Sequence, residues 1–310
     1  MPSEQNLSAQ DWLLLIILSV LWGGSFFFVA IAVTGLPPLT IVFLRVLIAA
    51  FLLLIVLRLA GIPLSLKGQA LVAFFGMGLL NNVMPFNLIV WAQGSIPSGL
   101  ASILNATTPL FTVLVLHLFT RDERATGWKI AGTVTGFAGV AVMLGADRLA
   151  DSSLPLLPQC AMLLATLSYA FSGLWGRRFK ALSIPPMMAA GGQLGASTLM
   201  MLPLVAFVER PWTLAMPAPS VLAAVVALAI LSTALAYVLF FRILARAGAT
   251  NLLLVTFLIP VSAILLGATL LGEVLAGRHF FGMGMIAIGL ALIDGRIPTW
   301  LGLRRQGESR

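Results

Sequence analysis

The chain has 310 residues, of which 60% are hydrophobic and only 9% charged, against about 25% charged in an ordinary soluble domain. That much apolar surface has no place in a water-facing globule, so the solvent around most of the chain must be lipid. The net charge of +8 would suit a nucleic-acid partner, but the basic residues fall in short clusters between long apolar runs rather than on one face, which argues against nucleic acid.

Read in order, the first eleven residues carry Glu4 and Asp11 and no Lys or Arg. The apolar run that follows is too long for the core of a secretory signal, so no leader is expected. A run of about 20 apolar residues crosses a bilayer as a helix. Ten such runs are predicted, at 12–34, 37–58, 69–91, 96–119, 127–145, 156–179, 185–208, 218–241, 248–270 and 276–294. The predicted fold class is an all-α integral membrane protein. Pro37-Pro38 opens the second run and Pro185-Pro186 the seventh, at an offset of 148. The least regular stretch, 145–158, is the natural seam between two halves, 12–145 and 156–294. The lone cysteine, Cys160, excludes an intramolecular disulfide, and its apolar surroundings predict a packed, inert thiol.

The halves repeat. Residues 107–140 read as an apolar segment with a proline, a charged turn with a glutamate, and an apolar segment rich in small residues; residues 259–290 have the same layout. Pro109 matches Pro260 at an offset of 151, and Glu123, Gly127, Gly132 and Gly139 match Glu273, Gly277, Gly282 and Gly289 at an offset of 150. A period of half the chain is too long for a solenoid and predicts one duplicated membrane unit. Of the loop Lys and Arg residues, fourteen fall on one side of the predicted membrane and three (Arg148, Arg210 and Arg278) on the other. The positive-inside bias therefore places both termini in the cytoplasm. Five spans per half is an odd number, so the second repeat enters the membrane upside down relative to the first. The expectation is two five-helix inverted-topology repeats.

Trp22-Gly23-Gly24-Ser25 in the first run, Arg45 followed by small residues in the second, and the two Pro…Glu…Gly blocks resemble the drug/metabolite transporter superfamily. The resemblance is to its ten-helix branch built from two EamA-type repeats, and most of all to the amino-acid and metabolite exporters of the aromatic amino acid exporter type. It covers nearly the whole chain. Gln193 stands where the first repeat has Arg45, and Ala170 where it has Trp22. The resemblance implies export of neutral amino acids, aromatic ones among them, or of similar metabolites across a bacterial-type inner membrane. It also implies that the first, third and fourth helices of each repeat line a cavity. Other substrates on the same fold are phosphorylated metabolites, nucleotide sugars and lipophilic compounds.

Inverted repeats put a substrate site near the midplane between the halves. The polar residues near the midpoints of those helices are Ser25, Asn81, Asn82, Asn105, Thr108, Ser168, Tyr169, Ser232, Thr233 and Thr256, with Asn87, Trp91 and Tyr237 as candidate walls. An amide in hydrocarbon is costly unless hydrogen-bonded, and it can accept from an ammonium and donate to a carboxylate, which suits a zwitterion. Hydrogen bonding between helices, worth about 0.6 kcal/mol per contact, is the competing use. Pro109 and Pro260 each remove a helix hydrogen bond and are gating candidates, with a static kink as the alternative. Gly132-x-x-x-Gly136 fits a homodimer face or packing within one chain.

All ten acids map to termini, loops or span ends, which disfavours metal ions and permanent cations as substrates. Arg45 is the basic residue well inside a span, eight residues past Pro37 and about 12 Å along the helix. A charge there costs roughly 2.5–3.5 kcal/mol, so it needs a partner: a substrate carboxylate or helix carbonyls. His117, near the end of the fourth span, allows a proton as coupling ion or a capping role. No cofactor, metal or catalytic residue is predicted, and the chain is not expected to be an enzyme. Its histidines, His117 and His279, fall on opposite sides of the membrane, so no Ser-His-acid or metal site assembles. The expected partners are a small-molecule substrate and the lipid bilayer.

Overall fold

The computed structural model describes residues 8–64, 67–120, 126–144, 156–252 and 254–293. The charged turn with Glu123, most of the seam at 145–155 and the C-terminal basic cluster lie outside the described residues. The first repeat comprises α1 (Ala9–Ala32), α2 (Pro38–Leu59), α3 (Gly68–Gln93), α4 (Ser98–Phe119) and α5 (Gly127–Leu144). The second comprises α6 (Leu156–Ala181), α7 (Pro186–Glu209), α8 (Pro219–Leu252), α9 (Leu254–Leu270) and α10 (Gly277–Ile293). The protein is an all-α membrane protein of ten helices in two five-helix repeats. By length and apolarity α1 to α4 and α6 to α8 are long enough to span a membrane. The helices α5, α9 and α10 are shorter, at 18, 17 and 17 residues, or about 26 Å.

Their starts follow from local chemistry. Ser8 caps α1 in a reciprocal capping box with Asp11, and prolines stand in the first turn of α2, α7 and α8, where a missing N–H costs nothing.

The packing obeys a two-fold relation. Helix α1 packs on α9 as α6 packs on α4, α3 packs on α6 as α8 packs on α1, and α3 packs on α7 as α8 packs on α2. The self-related pairs are α2 with α7 and α5 with α10. Both run antiparallel. A Cβ on Gly132 would meet the Gly289 carbonyl and one on Gly139 the Gly282 carbonyl, so residue numbers rise along one helix as they fall along the other. In the same way, the start of α2 meets Glu209 at the end of α7, while Leu57 meets Gly191 near its beginning. Equivalent helices that pair antiparallel require a two-fold axis perpendicular to them, in the membrane plane. That is the geometry of inverted repeats. The Gly132, Gly136 and Gly139 face is therefore used within one chain.

Three local features depart from the sequence reading. Cys160 is exposed on α6; in lipid, apolar neighbours do not signal burial within protein. The two prolines behave differently. At Pro109 the missing N–H and the clash with the carbonyl four residues back break α4 into Ser98–Asn105 and Thr108–Phe119, and the Thr108 hydroxyl donates to the Asn105 carbonyl instead, at 2.7 Å. Helix α9 runs through Pro260 unbroken. Finally, α3 and α8 each contain a wide π turn, Leu79–Val83 and Ile230–Leu235, at an offset of 151. Such turns cluster at functional positions.

Candidate functional site

The two π turns carry the repeat-equivalent residues Asn82 and Thr233 into the middle of the bundle, where both are buried. Each turn has its own cause. In α3, Pro85 has no N–H to offer the Leu80 carbonyl five residues back, and Ser168 of the other repeat donates to that carbonyl at 2.7 Å. In α8, the Thr233 hydroxyl donates to the Leu228 carbonyl, five residues back, at 2.9 Å.

Around these turns a polar junction connects the halves. Asn82 Nδ2 donates to Ser197 Oγ at 2.9 Å, and Ser197 donates to the Gln193 carbonyl of its own helix at 2.7 Å. Asn81 Nδ2 faces the Tyr237 hydroxyl at 3.0 Å and Gln193 Oε1 at 3.3 Å, while its Oδ1 accepts from Ser172 at 3.1 Å. The Tyr237 hydroxyl approaches Asn82 Oδ1 at 3.4 Å. Arg45 Nε donates to Thr233 Oγ1 at 2.9 Å, and its guanidinium lies over the Phe86 ring at 3.6 Å. Arg45 and Gln193 hold equivalent places in α2 and α7, and each reaches the other repeat: Arg45 to α8, Gln193 to α3. The junction thus sits on the two-fold axis, but its chemistry is not symmetric, with a cation on one side and a neutral amide on the other.

Of the residues picked out in the sequence, the structure brings Asn81, Asn82, Ser168, Thr233 and Tyr237 into this junction, with Tyr169 half-buried between the two main apolar clusters. Ser25 and Thr108 give their hydroxyls to carbonyls of their own helices, at 2.6 and 2.7 Å. Ser232 Oγ and Asn105 Oδ1 are buried atoms without a hydrogen-bond partner. Thr256 is half-buried on α9. Trp91 is 44% exposed near the end of α3, two turns beyond the junction. Asn87 donates to the Val83 carbonyl at 2.6 Å. Arg45 contacts a hydroxyl and a ring rather than the helix carbonyls offered as its structural partners. Gln193, Ser197, Ser172 and Phe86 were not selected from sequence. The offset that pairs Arg45 with Gln193 could have found the second of that pair.

A second set of polar contacts closes one end of the bundle. Glu209 Oε1 accepts from the Leu39 backbone N–H at 2.9 Å, and its Oε2 accepts from the Thr40 N–H and hydroxyl at 2.6 and 2.8 Å. Glu273 accepts from the Ser98 N–H at 2.7 Å, the Ser98 hydroxyl at 3.0 Å and the Gly99 N–H at 3.0 Å. Both carboxylates sit at helix N-termini, where the orphan N–H groups and the helix dipole favour negative charge. Each belongs to the second repeat and holds a helix of the first.

Two inverted repeats around a buried, mostly uncharged polar junction are the architecture of a membrane transporter. The chain belongs to the EamA-like transporter family, whose description matches residues 11–145 and again residues 156–294. It is 30% identical over 288 residues to the uncharacterized inner membrane transporter YedA of Escherichia coli (strain K12), covering 90% of this chain and 89% of that protein. A probable amino-acid metabolite efflux pump of the same organism is 27% identical over 181 residues, 58% of each chain. A solved crystal structure superposes with a TM-score of 0.64 at 22% identity, over 98% of this chain and 100% of its own, and this likeness shows the fold.

Proposed function

We propose that this protein is a secondary transporter exporting neutral amino acids, aromatic ones included, or similarly sized metabolites across the inner membrane, with both termini in the cytoplasm. Substrate binds at the junction of Asn81, Asn82, Tyr169 and Tyr237, and the broken helix α4 and the proline-bearing α9 move against it to alternate access. The observation that carries this reading is the inventory at the junction: amides, hydroxyls and one guanidinium, with no carboxylate among the described residues there. Such a site suits a small polar solute of little net charge and repels metal ions and permanent cations. The positive-inside bias of the loops supports the orientation. The relatives described as an inner membrane transporter and an amino-acid metabolite efflux pump support the location and the substrate class.

The test is uptake of a panel of radiolabelled amino acids into proteoliposomes, with and without a pH gradient, for wild type and Asn82→Ala. Saturable uptake of one chemical class is expected. The substitution removes a donor to Ser197 and an acceptor near Tyr237, so uptake efficiency should fall by about thirtyfold, taking roughly 1 kcal/mol for each hydrogen bond lost. A gradient-dependent rate would identify the proton as coupling ion. Transport of phosphorylated metabolites or lipophilic cations, with no amino acid moving, would remove the substrate class and leave the fold.

A further inference from the structure

Arg45 is the buried arginine of the described bundle, and it is unusual in what faces it. Among the described residues the acids are Asp11, Glu209 and Glu273, and each is engaged elsewhere: Asp11 with Ser8 and Arg246, Glu209 at the start of α2, Glu273 at the start of α4. None is near Arg45. A guanidinium offers five N–H donors, and the hydrogen bond it makes among the described residues is the one from Nε to Thr233. Thr233 is itself fixed, because its own proton goes to Leu228. One face of the guanidinium is covered by Phe86. A buried cation that is rigidly oriented but not neutralised is costly to keep.

The geometry points to Arg45 as the anchor for a carboxylate carried by the substrate, its two terminal nitrogens donating side by side to the two oxygens. The inference builds on the transport reading for its biological meaning and adds that the substrate class is a small monocarboxylate. Thr233 and Phe86 hold the guanidinium plane; Thr233 is a positioning residue. One cation among neutral groups balances one negative charge, whereas a phosphate with up to two charges would call for further basic groups. Tyr237 lies four residues after Thr233 in α8, and its hydroxyl reaches Asn81 and Asn82. A zwitterion with its carboxylate on Arg45 therefore has acceptors for its ammonium on the same side of the bundle.

Binding is measured by calorimetry on the full chain in nanodiscs, with L-phenylalanine, phenylacetate, L-phenylalaninamide, phenethylamine and phenyl phosphate as probes. Wild type is expected to bind the two carboxylates about tenfold or more tightly than the amide and the amine, from the loss of a charge-assisted pair. In Arg45→Gln the preference should collapse to within about twofold, and in Thr233→Val, which keeps the charge, it should fall to an intermediate value. The ratio of carboxylate to amide affinity is read within one preparation, so a lower folded fraction does not imitate the result. Arg45→Lys, which keeps the charge without the fork, should retain part of the preference. Equal binding of acid and amide by wild type, tighter binding of phenyl phosphate than of phenylacetate, a preference untouched by Arg45→Gln, or no binding by any probe would each overturn the anchor. Carboxylate binding that depends on Arg45 without amino-acid uptake in proteoliposomes would leave the anchor standing and remove the proposed amino-acid transport.

Discussion

Gly289→Ala is expected to destabilise the protein, although it replaces the poorest ordinary helix former with the best. A Cβ at position 289 would lie 2.5 Å from the Gly132 carbonyl oxygen, 2.9 Å from the Gly136 nitrogen and 3.0 Å from the Gly136 Cα. All three are backbone atoms, so no side chain can turn aside and α5 must move away from α10. Overpacking of this kind costs about 1–3 kcal/mol, against a gain of about 1 kcal/mol from helix propensity. The steric term wins. Gly284, on the same helix, has nothing within 4 Å of its Cβ position, so Gly284→Ala should show the propensity gain alone. Thermal stability of the solubilised protein, followed by size-exclusion chromatography, checks both: a lowered midpoint at 289 and an unchanged or raised one at 284. Gly289→Leu should prevent accumulation of folded protein. A Gly289→Ala variant as stable as wild type would mean that α5 and α10 do not pack through this seam.

The contrast matters because lipid tails are as apolar as leucine, so there is little hydrophobic gain in bringing two such helices together. What holds α5 to α10 is close backbone approach. What holds the centre is hydrogen bonding between amides and hydroxyls that have no water to turn to. The apolar side chains that dominate the composition face outward as well as inward: Phe51, Leu59 and Phe207 are exposed, as a lipid-facing surface requires.

This is also why the architecture was legible and the site only partly so. Apolar length and loop charge act over twenty residues at a time, and the Pro…Glu…Gly blocks repeat at a fixed offset, so the ten helices and their inversion can be read from the chain. Burial cannot be read that way, because an apolar stretch such as that around Cys160 looks the same whether it faces lipid or protein. The π turns were hidden for a related reason. Pro85 leaves the Leu80 carbonyl to Ser168 of the other repeat, and Thr233 donates to a carbonyl five residues back. Nothing in hydrophobic periodicity marks either carbonyl. Asn81 and Asn82 were visible as polar residues in an apolar run, yet their partners Gln193 and Ser197 lie more than a hundred residues away. The difference between Pro109 and Pro260 was hidden as well, since the same residue at equivalent positions breaks one helix and leaves the other whole.

Removing the two carboxylates that close one end of the bundle should open that end. Glu209 and Glu273, in the second repeat, each accept several charge-assisted hydrogen bonds from a helix start in the first. Because successive helices alternate direction, the starts of α2 and α4 lie on the same face. The opposite face is joined, among the described residues, by Arg246 to Asp11 at 3.2 Å and to Gln10 at 2.9 Å, with the arginine side chain 41% exposed. An exposed ion pair contributes about 0–1 kcal/mol, whereas hydrogen bonds to a partly buried carboxylate contribute roughly 1.5–3 kcal/mol each. Among the described residues the carboxylate face therefore carries the stronger polar contacts of the two. Ala101 lies one turn inside the Glu273 contact and is fully buried. In a Cys160→Ala, Ala101→Cys background, reconstituted in nanodiscs so that a polar maleimide reaches both faces, labelling should be slow. Adding Glu209→Ala and Glu273→Ala should speed it by roughly ten- to a hundredfold, the factor set by losing at least one such bond. The Arg246→Ala control, which acts on the other face, should change it by less than about fivefold. Equal labelling rates in all three would show that the clasps do not hold the repeats together. Acceleration by Arg246→Ala alone would place the weaker seam on the carboxylate side and reverse the ranking of the two faces.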